Sequence, residues 1–385
     1  MVGLSLAACQ DPNAGGAPTR WAKQGSGHDA IERLPSIPPR PETLAAGTVL
    51  EAAKEHFAPL PEAAESPMNP MTEEKLTLGR MLYSDPRLSK GNDLSCASCH
   101  DLAGYGVDAR EQDGKPMRTA LAHGGEGEGR NAPSIYNAAL HVAQLWDARA
   151  PSVEAIARGP APETDMDIAA LQASPGYVQA FAAAFPDDSD PVSYNNVALA
   201  IGAFARQLMT PGPFDDFLSG NLTALTEQQM QGLDSFMSLG CIQCHSGATV
   251  GGQDLKKLGL AKPWEGLKDE GRGALTKSED DKYVFKVPSL RNVTKTGPYL
   301  HDGSVDTLEE MVQKMATHQL GKGDLPPDQL AALVAFLGAL EGRLPDEYIA
   351  KPTLPSEAPA RRAAPLKPAE PDGDNEDEPD EPDPA

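Results

Sequence analysis

Apolar residues recur at helical spacing in several stretches of this chain and alternate at strand spacing almost nowhere. Met230, Leu233, Phe236 and Met237 fall on one face of a helical repeat of about 3.6 residues. Thr226-Glu227-Gln228-Gln229 in front of them is a capping box, and Gly240 behind them is a stop signal. Thr307-Leu308-Glu309-Glu310 opens a second helix, which carries Met311, Val312 and Met315. A third, capped at Asp328, shows Leu330, Leu333, Val334, Leu337 and Leu340 on one face. Leu76–Tyr83, Val153–Ala157, Tyr177–Phe185 and Val197–Leu208 read as further helices, and Tyr283–Val287 as a short hairpin. The pattern predicts a mainly α protein.

The ends of the chain lack such a face. Residues 10–45 are rich in Gly, Pro and Ala and read as a flexible leader. From Arg361 onward the chain is Pro, Ala, Asp and Glu, which cannot bury enough apolar surface to offset the entropy of folding. Leu6-Ala7-Ala8-Cys9 resembles a lipoprotein cleavage site, without the basic, apolar segment that should precede it, so an upstream start is expected. At 385 residues, the chain suits two domains plus tails. The expected division is a lipoprotein-like leader and linker at 1–45, domains at 46–212 and 213–350, and a disordered acidic, Pro-rich tail at 351–385.

The chemistry lies in Cys96-Ala97-Ser98-Cys99-His100 and Cys241-Ile242-Gln243-Cys244-His245. Each has the C-x-x-C-H form in which two thiols bond to haem vinyl groups and the adjacent His ligates iron. A disulfide would leave the repeated His unexplained, and a zinc site needs its ligand pairs closer, about 15–20 residues apart. Helix, C-x-x-C-H, long loop, Met, closing helix is the order of a small cytochrome c fold. The expected architecture is therefore two cytochrome c-like haem domains with long loops and disordered termini. The gap from His100 to Cys241 gives the first domain extra structure. Two macrocycles also supply apolar bulk to a chain with only 5% aromatic residues.

Met315 is the candidate sixth ligand of the second haem. His123, on the Gly-rich loop Leu121-Ala122-His123-Gly124-Gly125, is the candidate for the first, with His141, His301 and His318 as competitors. A net charge of −23 excludes a nucleic-acid partner, which would need clustered Lys and Arg, and permits docking to a basic protein. Apolar runs such as Leu330–Leu340 are shorter than the roughly 20 residues that span a bilayer. Covalent haem implies export, so the expected compartment is the periplasm, with Cys9 as a lipid anchor.

The segments Leu78-Gly79, Asp85-Pro86-Arg87-Leu88-Ser89 and Ser95–His100 resemble the opening of bacterial di-haem cytochrome c peroxidases. Arg130-Asn131-Ala132-Pro133-Ser134, Trp146-Asp147-Ala148-Arg149-Ala150, Pro288-Ser289-Leu290-Arg291-Asn292-Val293 and Pro298-Tyr299-Leu300-His301-Asp302-Gly303 continue the series over about Met71 to Glu341. The resemblance implies a haem on His100 that meets hydrogen peroxide, with His123 leaving on activation. A haem on His245 and Met315 would take electrons from a small cytochrome c or cupredoxin. Methylamine-utilisation relatives carry Tyr in place of this Met, so Met315 favours the peroxidase branch. The resemblance further implies Trp146 on the path between the haems, Ca²⁺ held at Asn131, Thr296 and Pro298, and a homodimer. It departs from the family pattern where a distal Gln and Glu are expected. Ile156 stands at the Gln position, and Asp165, then Glu163, are the nearest substitutes for the Glu that shuttles a proton between peroxide oxygens. Two alternatives stay open: a di-haem oxidase of a protein or small substrate acting through high-valent iron, and a non-catalytic di-haem electron carrier.

Overall fold

The computed structural model describes residues 45–112, 114–119, 129–159 and 166–355. Helices dominate, and the described strands form two short antiparallel pairs. Two buried cores organise the chain, each built on a pair of crossing helices.

In the second core, Glu227–Leu239 crosses Pro327–Gly338. A glycine makes the crossing close. A Cβ on Gly232 would fall 1.9 Å from the Ala332 carbonyl oxygen and 2.8 Å from Phe336 Cβ, so any side chain there would force the helices apart. The first core repeats the device. Glu73–Ser84 crosses Tyr194–Arg206, and a Cβ on Gly79 would lie 2.0 Å from the Ala200 oxygen and 2.8 Å from Phe204 Cβ. Tyr194–Arg206 thus stands in the first core where Pro327–Gly338 stands in the second. The extra structure lies before it, in Ile168–Gln172 and Pro175–Ala184.

Segments near both ends of the described residues cross over between the cores. Val49, Leu50, Ala53 and Phe57, which precede the first pentad, are buried with Phe214, Phe236 and Phe336 of the second core. Phe57 meets Phe214 edge-on at 5.4 Å, and burying such a ring is worth about 2 kcal/mol. In return, Leu344, Tyr348 and Ile349 pack on the first core. Tyr348 stacks on Phe204 at 5.0 Å and donates its hydroxyl to the Phe204 carbonyl.

A second repeat joins the two halves. Pro133-Ser134-Ile135-Tyr136-Asn137 and Pro288-Ser289-Leu290-Arg291-Asn292 both end on an Asn in the left-handed region, φ 60° and 62°, which Asn tolerates better than most residues. Both side-chain amides donate to the hydroxyl of buried Thr210, each at 2.9 Å. One threonine therefore ties the matching turns of both domains together.

Two local expectations change. Thr226 does form its capping box with Gln229, but the helix expected to be capped at Asp328 begins at Pro327, which places Asp328 inside the first turn rather than at the cap. Proline's fixed φ suits the first helical position, so the helix starts earlier. Tyr283–Val287 is not a hairpin on its own: Val284–Lys286 pairs with the distant strand Leu255–Lys257. No helix among the described residues is long and apolar enough to cross a membrane.

Candidate haem centres

The second attachment turn is set by a helix end. Glu227–Leu239 stops at Gly240, whose φ of 94° only glycine adopts freely, and the chain turns into Cys241–Gln243. Cys241, Cys244 and His245 then line one cavity with Met315 from the helix Leu308–His318. Phe236, Leu239, Val312, Leu333 and Leu337 add apolar side chains to its wall. Burial pushes the Cys241 thiol up to about 12 and the His245 imidazole down to about 4. The thiol therefore stays protonated and the imidazole stays neutral, with a lone pair free for a metal. His245 Nδ1 is buried beside the backbone of Val250 and Pro288. These residues fit a porphyrin joined through two thioethers and ligated by His245 and Met315.

The first turn is built differently. Cys96–Cys99 is a single helical turn, so both sulfurs share a face, and Ser98 Oγ accepts from Ser95 N–H at 3.0 Å. His100 Nδ1 lies 3.1 Å from the Gly106 carbonyl, which orients the ring and leaves Nε2 for iron. Buried Tyr83 donates its hydroxyl to the His100 carbonyl. Burial pushes the Cys96 thiol up to about 11. Arg110, held by Asp108, approaches Cys99 Sγ at 3.3 Å. All four described cysteines of the two turns are free, so neither turn is a disulfide.

Trp146 borders the same cavity as the second turn. Its indole N–H donates to the Asn131 carbonyl at 2.9 Å, and its ring meets His301 edge-on at 6.3 Å. His301 in turn stacks on Phe285 at 4.2 Å. Arg130 fixes this corner, bonding Asp147 at 2.7 Å and Asp269 through two nitrogens at 2.7 and 2.8 Å. Asn131, Thr296 and Pro298 all line the cavity, and Asn131 Nδ2 donates to the Pro298 carbonyl at 2.6 Å. Among the described residues no group of three His, Cys, Asp or Glu could hold a metal. A cation at this corner would rely on amide and carbonyl oxygens, which suit Ca²⁺.

The remaining candidates fall elsewhere. His123, Glu163, Asp165 and Cys9 lie outside the described residues. Met166, which follows Asp165, pairs with Ser89 ahead of the first turn. Ile156 is 40% exposed on the helix Val153–Arg158. His318 is held by the Lys262 and Pro263 carbonyls and packs tilted against Trp264, while His141 and His301 line the cavity of the second turn. Sequence reasoning missed buried Lys286 and the Arg130 network. A lone Lys inside the apolar run Val284-Phe285-Lys286-Val287 was the available signal for the former.

Two C-x-x-C-His turns, each on its own helical core, define a c-type di-haem protein. A family model for di-haem cytochrome c peroxidases matches residues 73–223. The chain is 40% identical over 314 residues to the cytochrome c551 peroxidase of Pseudomonas aeruginosa, covering 78% of this chain and 88% of that protein. It is 32% identical over 305 residues to the methylamine utilization protein MauG of Methylophilus methylotrophus, covering 73% and 87%. Among solved structures, a MauG-like protein associated with microbial copper homeostasis matches with a TM-score of 0.65 and 30% identity, over 76% of this chain and 95% of that one. The chain belongs to the di-haem cytochrome c peroxidase family.

Proposed function

We propose that this peroxidase divides its work between the two turns: His245 and Met315 hold the haem that takes up electrons, and His100 holds the haem that meets hydrogen peroxide. The bound irons supply the redox chemistry, in which two electrons and two protons convert hydrogen peroxide to two waters. The convergence of Cys241, Cys244, His245 and Met315 on one apolar cavity that extends to Trp146 carries this reading. Neutral His245 and the Met315 thioether favour a high reduction potential, which suits the receiving end. Trp146, fixed through Asn131, offers an aromatic bridge toward the first turn. Asp165, or Glu163 beside it, holds the proton that moves between the peroxide oxygens.

The donor is a small cytochrome c or cupredoxin in the periplasm, Cys9 a lipid anchor, and Ca²⁺ sits at Asn131, Thr296 and Pro298. The enzyme works as a homodimer. Ile156, where the family carries Gln, favours a second reading in which a different substrate is oxidised.

Steady-state peroxide consumption with reduced donor, before and after partial reduction, tests the assignment. Electron paramagnetic resonance of the half-reduced protein should show the first haem becoming high-spin. An unchanged six-coordinate signal without peroxide turnover would leave an electron carrier.

A further inference from the structure

Three Lys and Arg side chains of the described residues line the second cavity, and two are already paired. Lys256 meets Asp254 at 2.9 Å, and Arg291 meets Asp215 at 2.6 Å. The third, Lys286, is only 6% exposed on the strand Val284–Lys286, and none of the described carboxylates pairs with it. Burial lowers its pKa to about 8 with nothing opposing the shift. A buried ammonium without a counter-charge is unfavourable unless whatever fills the cavity brings the anion.

His141 adjoins this place. Its ring packs so closely on Gly252 that a Cβ there would fall 2.4 Å from His141 Cδ2, and Gly252 N–H bonds the carbonyl of Val287, next to Lys286. His141 Nε2 is buried without a partner, and burial together with the Lys286 charge keeps the ring neutral. A cation and a neutral hydrogen-bonding group thus stand together in the cavity wall. A porphyrin is apolar except for its two propionate carboxylates.

We propose that Lys286 is the counter-ion of a propionate of the second haem, with His141 as a neutral hydrogen-bonding partner, and that this pairing raises that haem's reduction potential. The ferric macrocycle carries one more positive charge than the ferrous, so a fixed cation beside it favours reduction. The inference rests on the second haem occupying this cavity and does not require peroxide turnover.

The test is a spectroelectrochemical titration of both haems in the mature holoprotein, with peroxide consumption measured separately. Lys286→Met should lower the second haem's midpoint by about 59 mV, a tenfold loss in the reduction equilibrium. Lys286→Arg should stay near wild type, and the first haem should not move. An unchanged midpoint in Lys286→Met, or equal shifts of both haems, would overturn the proposal. If Lys286→Met does not mature, Lys286→Gln keeps polarity and loses only charge. It must show the same fall, and a wild-type midpoint in that variant is equally fatal. The expected shift in a protein that fails to consume peroxide would support the counter-ion while sinking the peroxidase reading.

Discussion

The two haem-attachment regions share a frame and differ in how the ligating histidine is held. Gly79 on Ala200 and Phe204, and Gly232 on Ala332 and Phe336, are the same helix crossing made twice. His100, however, leans on the Gly106 carbonyl at 3.1 Å, whereas His245 sits buried beside the Val250 and Pro288 backbone. A carbonyl on the far nitrogen makes an imidazole a stronger donor to iron and favours the oxidised metal. A thioether as sixth ligand, the role proposed for Met315, favours the reduced one. On the proposed ligation, copies of one scaffold would hold different potentials through one axial ligand.

The shared frame gives the largest expected effect. Gly79→Ala and Gly232→Ala should each cost about 3 kcal/mol, because no side chain lies between the glycine and the opposing carbonyl. Urea unfolding followed by haem absorbance would measure both losses, and a near-neutral result at one site would break the equivalence. The difference between the sites gives the next. Met315→Leu should lower the second haem's potential and reduce donor-driven turnover about a hundredfold, with the first haem's spectrum unaltered.

The first core also has an acid sensitivity of its own. Burial raises the Asp85 pKa, but hydrogen bonds from Arg87 and Tyr177 outweigh it and hold the carboxyl below its ordinary 3.8. A depressed carboxylate stabilises the fold above the unfolded pKa and loses that contribution as pH falls through the folded value. Asp85→Asn should cost about 2 kcal/mol near neutrality and little in strong acid, seen as converging unfolding midpoints. The smallest effect is expected at the bridge. Trp146→Phe removes the bond to Asn131 and should slow electron passage between the haems about tenfold, with both midpoints unchanged in a stopped-flow measurement.

The chemistry was legible wherever it is local. Each C-x-x-C-His places two thiols and an imidazole within five residues, so the attachment turns follow from spacing alone. The capping box at Thr226 and the stop at Gly240 also fixed the approach to the second turn, because both act within one helical turn. Asp328 misled because proline competes for the same helix start. The repeat hidden in Pro133–Asn137 and Pro288–Asn292 escaped notice, since the shared Pro-Ser and Asn matter only once both Asn side chains reach Thr210.

The amino-acid order by itself determined the covalent haem chemistry, the helical character and the ligand candidates, for these rest on neighbours along the chain. Only the tertiary structure decided which core receives Val49–Phe57 and which receives Leu344–Ile349, and which cation of the cavity wall has no counter-charge among the described residues. Those outcomes depend on contacts between residues far apart in sequence, such as Phe57 with Phe214 and Tyr348 with Phe204. Burial and charge compensation arise only when such distant residues are packed together, and no local pattern encodes them.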